Sequence, residues 1–311
     1  MNKTDNSNSI LLTETDWRRI AEYSETINIL DTKVSLEYAL PLQKKCAALP
    51  NAIMTQLKKD LAPQAYDVIQ NLLAEIQTFT PTTEILEHPM RNRKEFKKLR
   101  SEYNKISEKL SKLLAILQEQ ELVLMQNAST LTKLQTRVKK DYKALYMHIE
   151  AGKRRLTTVK KALELAPTND GSFNEQYAHH ETIRIAVRSF QERLTSLEVT
   201  EKMLVTLLAQ LAAYVETNKI SLSKVSKTYR ETIPAWRKQL SIALRTGDVV
   251  DAIYSSKSSE TIDYETANKS LCESISDLKN SFVSNQTSKT ALDQVYLLSK
   301  DLQQELSKKS S

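Results

Sequence analysis

Apolar residues recur at every seventh position through the middle of this chain. Phe96, Tyr103, Leu110, Leu117, Leu124, Leu131, Val138 and Leu145 form one row, and Leu99, Ile106, Leu113 and Leu134 fill the offset position. No Pro or Gly interrupts between Arg91 and Ala151. Apolar a and d positions sustained over this many heptads predict a long helix with one continuous seam. It should run from Arg91 to Leu165, about 110 Å at the usual rise per residue. Its d positions turn polar at Gln120, Asn127, Asp141 and His148, and beyond Gln135 the neighbouring positions supply Tyr142 and Ile149 instead. That drift is what a 3.6-residue helix does against a 3.5-residue repeat, so the helix belongs in a bundle rather than a strict two-stranded zipper.

A second apolar series begins after the turn residues Pro167, Asn169, Asp170 and Gly171. It includes Ile183, Val187, Phe190, Leu194, Leu197, Leu204, Leu208, Leu211, Val215, Leu222, Val225, Tyr229 and Trp236, and predicts a helix to Leu244. Two matched helices around one turn make an antiparallel hairpin. A third helix follows over 262–308, carrying Leu271, Ile275, Leu278, Phe282, Leu292, Val295, Leu298 and Leu302. Upstream, Thr13 and Asp16 offer a capping box, Asp31 caps a second helix that Pro41 should kink or break, and Pro50 and Pro63 open further short helices. The chain thus reads as all-α and elongated. A disordered tail (1–12) precedes an N-terminal helical bundle (13–80) and a linker (81–90). The long hairpin (91–245, turn at 166–172), a connector (246–261) and the C-terminal helix (262–308) complete it.

Composition narrows the function. Three Gly and seven Pro are too few for a turn-rich sheet protein. Cys46 and Cys272 lack metal-ligand neighbours and fit a reducing compartment. No signal peptide is visible and no stretch spans a bilayer, which predicts a cytoplasmic protein, peripheral at most to the inner membrane. The apolar run 203–215 reads as a buried helix, with reversible membrane insertion as the alternative. Between Arg91 and Lys161 there are nineteen Lys/Arg and seven Asp/Glu, a net of 19 − 7 = +12, against +7 for the whole chain. Such a face attracts an acidic protein or an anionic membrane surface, or is simply solvated. Nucleic acid is disfavoured because no aromatics interleave the basic runs.

Enzyme signatures are absent: there is no Walker loop, GxGxxG, GxSxG or HExxH, and no catalytic, cofactor or metal residue is expected. His179 and His180 are adjacent and do not form an i,i+4 pair. The acidic run Asp263-Tyr-Glu265 reads as a helix cap. Gly152 is the one Gly within the long helical segments, and Gly in a helix interior costs about 1 kcal/mol relative to Ala. Close helix packing is the ordinary reason. An anion site at the neighbouring Lys153, Arg154 and Arg155 is the sharper one. Trp236, beside the helix-bending Pro234, is expected to fill the gap that the bend opens.

The segment TIPAWRKQLSIAL (232–244) is similar to the TIPLWKNQ…AL signature of the toxic-anion-resistance proteins, the TelA-like tellurite resistance family. QKK (43–45), HIEAGKRRL (148–156), FQERLTSL (190–197) and IDYETANKSL (262–271) resemble further family segments in the same order. Two features depart from the pattern: only Asn218 matches an Asn cluster that precedes the TIPxW block, and the stretch between Leu244 and Ile262 is shorter. The resemblance implies a bacterial stress-tolerance protein of the tellurite or toxic-anion type, and it supplies no reaction or catalytic residue. From the residues themselves the expected role is a non-enzymatic scaffold or interaction protein, with a monomer favoured. A membrane-associated or pore-former-like helical protein in envelope stress and a direct oxyanion binder are the alternatives.

Overall fold

The computed structural model describes residues 12–57, 62–165, 173–244 and 264–308. Residues 1–11 of the predicted tail, the turn at 166–172 and the connector at 246–261 lie outside these, as do the cap at Asp263 and the side chains of His179 and His180. The described residues form helices α1 (Glu14–Thr26), α2 (Thr32–Glu37), α3 (Leu40–Ala47), α4 (Leu49–Gln56), α5 (Ala62–Thr78) and α6 (Thr83–Glu87). Helices α7 (Arg93–Leu165), α8 (Phe173–Lys227), α9 (Ile233–Ala243) and α10 (Tyr264–Lys308) follow, with a π-helical turn, Thr228–Thr232, between α8 and α9. No strand occurs among the described residues, so the fold is all-α.

The helix starts follow their local chemistry. The Thr13 backbone N–H donates to Asp16 Oδ2 at 2.7 Å, and the Asp16 N–H donates to Thr13 Oγ1 at 3.2 Å, completing the capping box of α1. Asp31 accepts the Lys33 N–H at 2.9 Å at the start of α2. The chain then breaks at Ala39, which takes a left-handed φ of 53°, and Pro41 sits in the first turn of α3.

Packing divides the chain into two units. The first holds residues 1–56, 132–212 and 291–311, and the second holds 57–131 and 213–290. Helices α7, α8 and α10 each contribute to both. In the second unit α7 and α8 run antiparallel, because Leu124 meets Asn218 while Glu121 meets Tyr229. Helix α10 runs antiparallel to α8, pairing Ser221 with Ser281 and Thr228 with Ser274. Leu110, Leu113 and Leu117 of the heptad seam are fully buried there with Ile69, Leu72, Ile233 and Leu278. In the first unit Lys153 pairs with Glu198 and Lys160 with Gln191, so α7 and α8 are antiparallel there too. The positions that take over the seam late in α7, Tyr142 and Ile149, are buried. The apolar run near 203 places Leu204, Leu207 and Leu211 in the core, and no described helix is long and apolar enough to cross a membrane.

Candidate functional site

The motif segments named above converge on one junction in each unit. In the first, α3 brings Gln43 against α8, where Arg193 and Ser196 lie one turn apart. Arg193 Nη1 donates to Gln43 Oε1 at 2.6 Å, and Arg193 Nε donates to the Tyr38 carbonyl at 2.9 Å. Gln43 Nε2 in turn donates to the Ser196 carbonyl and to Thr200 Oγ1, each at 2.8 Å. The left-handed turn at Ala39 lies directly after that Tyr38 carbonyl, so the backbone there is held in an uncommon conformation beside the guanidinium. Arg193 is 7% exposed, and none of its described neighbours supplies a carboxylate partner. Burial alone pulls its pKa down to about 10. Its Nη2 is closed to solvent and has no hydrogen-bond partner.

Gly152 faces the same junction from α7. A Cβ built on it would stand 2.5 Å from Leu194 Cδ2 and 3.4 Å from Phe190 Cζ, with the Tyr38 ring at the same 3.4 Å. The missing side chain leaves the space that the end of the Leu194 side chain fills between α7 and α8. Tyr38 also donates its hydroxyl proton to the His148 carbonyl at 2.8 Å and packs on the Phe190 ring at 5.3 Å between centroids. Beside this junction α2, α3, α8 and the end of α10 enclose a cleft of about 830 Å³, walled by Arg193, Lys44, Ser35, Ser189, Leu40 and Leu306, among others.

The three cations after Gly152 have intramolecular partners. Lys153 Nζ lies 2.9 Å from Glu198 and 3.4 Å from Glu150. Burial would lower the Lys153 pKa, but these carboxylates outweigh it and raise it. Arg154 sits over the Trp17 ring at 5.3 Å, and Arg155 Nε donates to the Ile27 carbonyl at 2.8 Å. Both fasten the α1 region to α7. Nearby, Lys45 Nζ reaches Asp141 at 2.6 Å, which accounts for the polar heptad position. Lys143 reaches Asp16 at the same 2.6 Å. The Lys143 and Thr13 hydrogen bonds hold the Asp16 carboxyl down at about 2.

The second junction centres on Trp236, which is fully buried. Its ring stacks on Tyr103 at 5.4 Å and meets Phe79 at 6.3 Å. Its Nε1 donates to Asn268 Oδ1 at 3.1 Å, while Asn268 Nδ2 donates to the Phe79 carbonyl at 3.2 Å. The TIPAW and IDYETANKSL segments therefore meet through one Trp–Asn pair. Pro234 has no N–H and its ring crowds the preceding turn. The helix accommodates it by widening: the Ile233 N–H bonds to the Thr228 carbonyl, five residues back, in the π turn. That turn aims Tyr229 and Arg230 at Glu121 of α7. Tyr229 donates to Glu121 Oε2 at 2.7 Å, and Arg230 Nη2 lies 2.9 Å from the same oxygen. Burial pushes the Glu121 carboxyl up, but these donors outweigh it and leave its pKa lowered.

Arg193, Gln43, Asn268 and the Glu121 clamp carry no mark in the heptad pattern; their only sequence signal is that all but Glu121 lie within family-like segments. Among the described residues no group of His, Cys, Asp and Glu is placed to hold a metal ion.

The family model described as toxic anion resistance protein (TelA) matches residues 20–262. An uncharacterised protein of Listeria monocytogenes is 23% identical over 249 residues, covering 75% of this chain and 61% of the relative. A TelA-like protein of Staphylococcus aureus is 20% identical over 244 residues, covering 75% and 64%. A TelA-like protein of Staphylococcus epidermidis is 21% identical over 286 residues, covering 88% and 74%. The chain thus spans 61–64% of the length of the first two of these relatives. No solved structure matches the chain.

Proposed function

Because the chain belongs to the toxic anion resistance (TelA) family, we propose that it supports bacterial tolerance of tellurite-type oxyanions as a non-enzymatic helical interaction protein. One observation carries this reading: the family-like residues are used to join helices from distant parts of the chain. Gly152 admits Leu194, Gln43 receives Arg193, and Trp236 receives Asn268. Side chains committed in this way fix helices against one another, which suits a scaffold more than a reacting centre. In this reading the protein works in the cytoplasm or on the inner face of the membrane. The test is deletion of the gene and growth on tellurite, with complementation by the wild type and by Trp236→Ala. Loss of tolerance on deletion, restored by the wild type and not by the variant, supports the role. Unchanged growth of the deletion strain on tellurite and on a panel of envelope stressors overturns it.

A direct oxyanion site at Gly152 is less favoured, because Lys153 and Arg155 already hold polar partners and Arg154 covers Trp17. Attachment to an anionic membrane surface has one supporting observation. Arg91, just before α7, and Arg93, Lys94, Lys97, Lys98 and Arg100 in its first turns are all exposed, and among the described residues Lys98 pairs with Glu102 at 3.8 Å. Salt-sensitive co-sedimentation with phosphatidylglycerol vesicles, lost in a Lys97→Glu/Arg100→Glu variant, tests it.

A further inference from the structure

The cleft beside Arg193 has features that helix packing does not require. A buried guanidinium is normally paired with a carboxylate, because an uncompensated charge in a desolvated position is costly. Arg193 instead bonds two neutral acceptors, the Tyr38 carbonyl and Gln43 Oε1, and its Nη2 is left without one. It forms part of the wall of the cleft of about 830 Å³. Lys44 lines the same cleft from α3 and makes no ion pair among the described residues. Two carboxylates also border it, Glu37 and Glu192, but Glu192 is engaged by Arg188 at 3.4 Å. The rest of the wall sets Leu36, Leu40, Pro41 and Leu306 beside the hydroxyls of Ser35, Ser189 and Ser196.

We propose that this cleft binds a small organic anion: a carboxylate or phosphate head directed to Arg193 and Lys44, carried on an apolar body lying along Leu40, Pro41 and Leu306. The head supplies the counter-charge that Arg193 lacks, while Lys44, exposed on the same wall, donates the charge-assisted bond. The apolar wall separates this ligand from a bare inorganic oxyanion, which would gain nothing from Leu40 or Leu306. The cleft's volume is in the range of small-ligand sites. Gln43, held by Ser196 and Thr200, fixes the guanidinium from behind and acts as a positioning residue.

This inference goes beyond the proposed role and stands apart from it, since tellurite tolerance can fail with ligand binding intact, and the reverse. The experiment is calorimetric titration of the full chain with decanoate and decyl phosphate, below their micellar concentrations. Decanol, decylamine and inorganic phosphate serve as controls. Saturable one-to-one binding of either anion is expected, weakened about tenfold or more by Lys44→Glu, a surface change compatible with folding, and by Arg193→Gln. Lys97→Glu, in the other unit, should leave it unchanged. Preference for decanoate or for decyl phosphate tells a carboxylate from a phosphate ligand. No heat with either anion, equal binding of decanol or decylamine, binding of inorganic phosphate as tight as that of decyl phosphate, or affinity unchanged in Lys44→Glu would each overturn the proposal.

Discussion

Trp236 gives the sharpest quantitative test of the second junction. Replacing it with Ala removes a fully buried indole from between Tyr103 and Phe79. Truncations of this kind cost about 3–5 kcal/mol, the loss of transfer energy adding to that of the cavity. The change also leaves Asn268 Oδ1 without its donor, and Asn268 is half-buried, so this adds about 1 kcal/mol, the low end for an orphaned acceptor. Trp236→Phe keeps much of the apolar contact and loses the N–H, so it should cost clearly less, about 1–3 kcal/mol. A double-mutant cycle with Asn268→Ala separates the two contributions. Asn268→Ala should be about 1 kcal/mol less damaging in the Trp236→Phe background than in the wild type, although its bond to the Phe79 carbonyl is lost in both. The assay is urea unfolding followed by helical circular dichroism. A Trp236→Ala variant within about 1 kcal/mol of wild type would refute the reasoning, because a well-filled core cannot lose an indole so cheaply.

Three further outcomes are expected. Gly152→Ala should destabilise by about 1–2 kcal/mol, since overpacking against Leu194 outweighs the gain in helix propensity, and in a Leu194→Ala background it should instead stabilise by about 1 kcal/mol; the same sign in both backgrounds in urea melts would rule this out. Asp16 titrates at about 2 in the folded chain against an ordinary 3.8, so its contribution is present above pH 3.8 and disappears as the pH falls towards 2. Unfolding midpoints measured across that window should fall less steeply in Asp16→Asn, and equal slopes would contradict the assignment. Cys46 is fully buried and its thiol is pushed up to about 12, chiefly by burial, so iodoacetamide should leave it unmodified at pH 8 until the chain unfolds. Peptide mapping that finds it labelled in the native protein would show that this part of the core opens.

The long helices were legible because a seam repeats many times and each heptad restates the same answer. The predicted start of α7 at Arg91 lies two residues from the observed Arg93, and both predicted caps at Thr13 and Asp31 are made. The polar seam positions were visible as exceptions, but not their consequence. Asp141 is buried because Lys45, distant in sequence, reaches it. The same limit applies to Lys153, Arg154 and Arg155, which read as free cations until their partners Glu198, Trp17 and Ile27 are brought in by the fold. Pro234 announces a disturbance, and Trp236 beside it reads as a buried anchor. That the disturbance takes the form of a π turn, and that Tyr229 and Arg230 then meet Glu121, no local pattern encodes. Arg193 was the least legible of all, since a single Arg on a heptad helix is ordinarily a solvated residue.

The division of α7, α8 and α10 between two units has a consequence for how the chain reaches its native state. Neither unit is a contiguous stretch, so neither is complete when the ribosome has delivered the first half of the sequence. The contacts that close them join residues far apart: 150 positions between Gln43 and Arg193, 189 between Phe79 and Asn268, and 256 between Ala47 and Gln303. Helical proteins usually fold quickly because their contacts are local. Here the helices themselves can form early, but Gln43, Ala47 and Phe79 must wait for their partners in α8 and α10. Slow final assembly is the expected consequence of that wiring, as is intolerance of truncation at residue 290. Such a cut removes the α10 segment that bonds Ala47, and so strikes the opposite end of the chain.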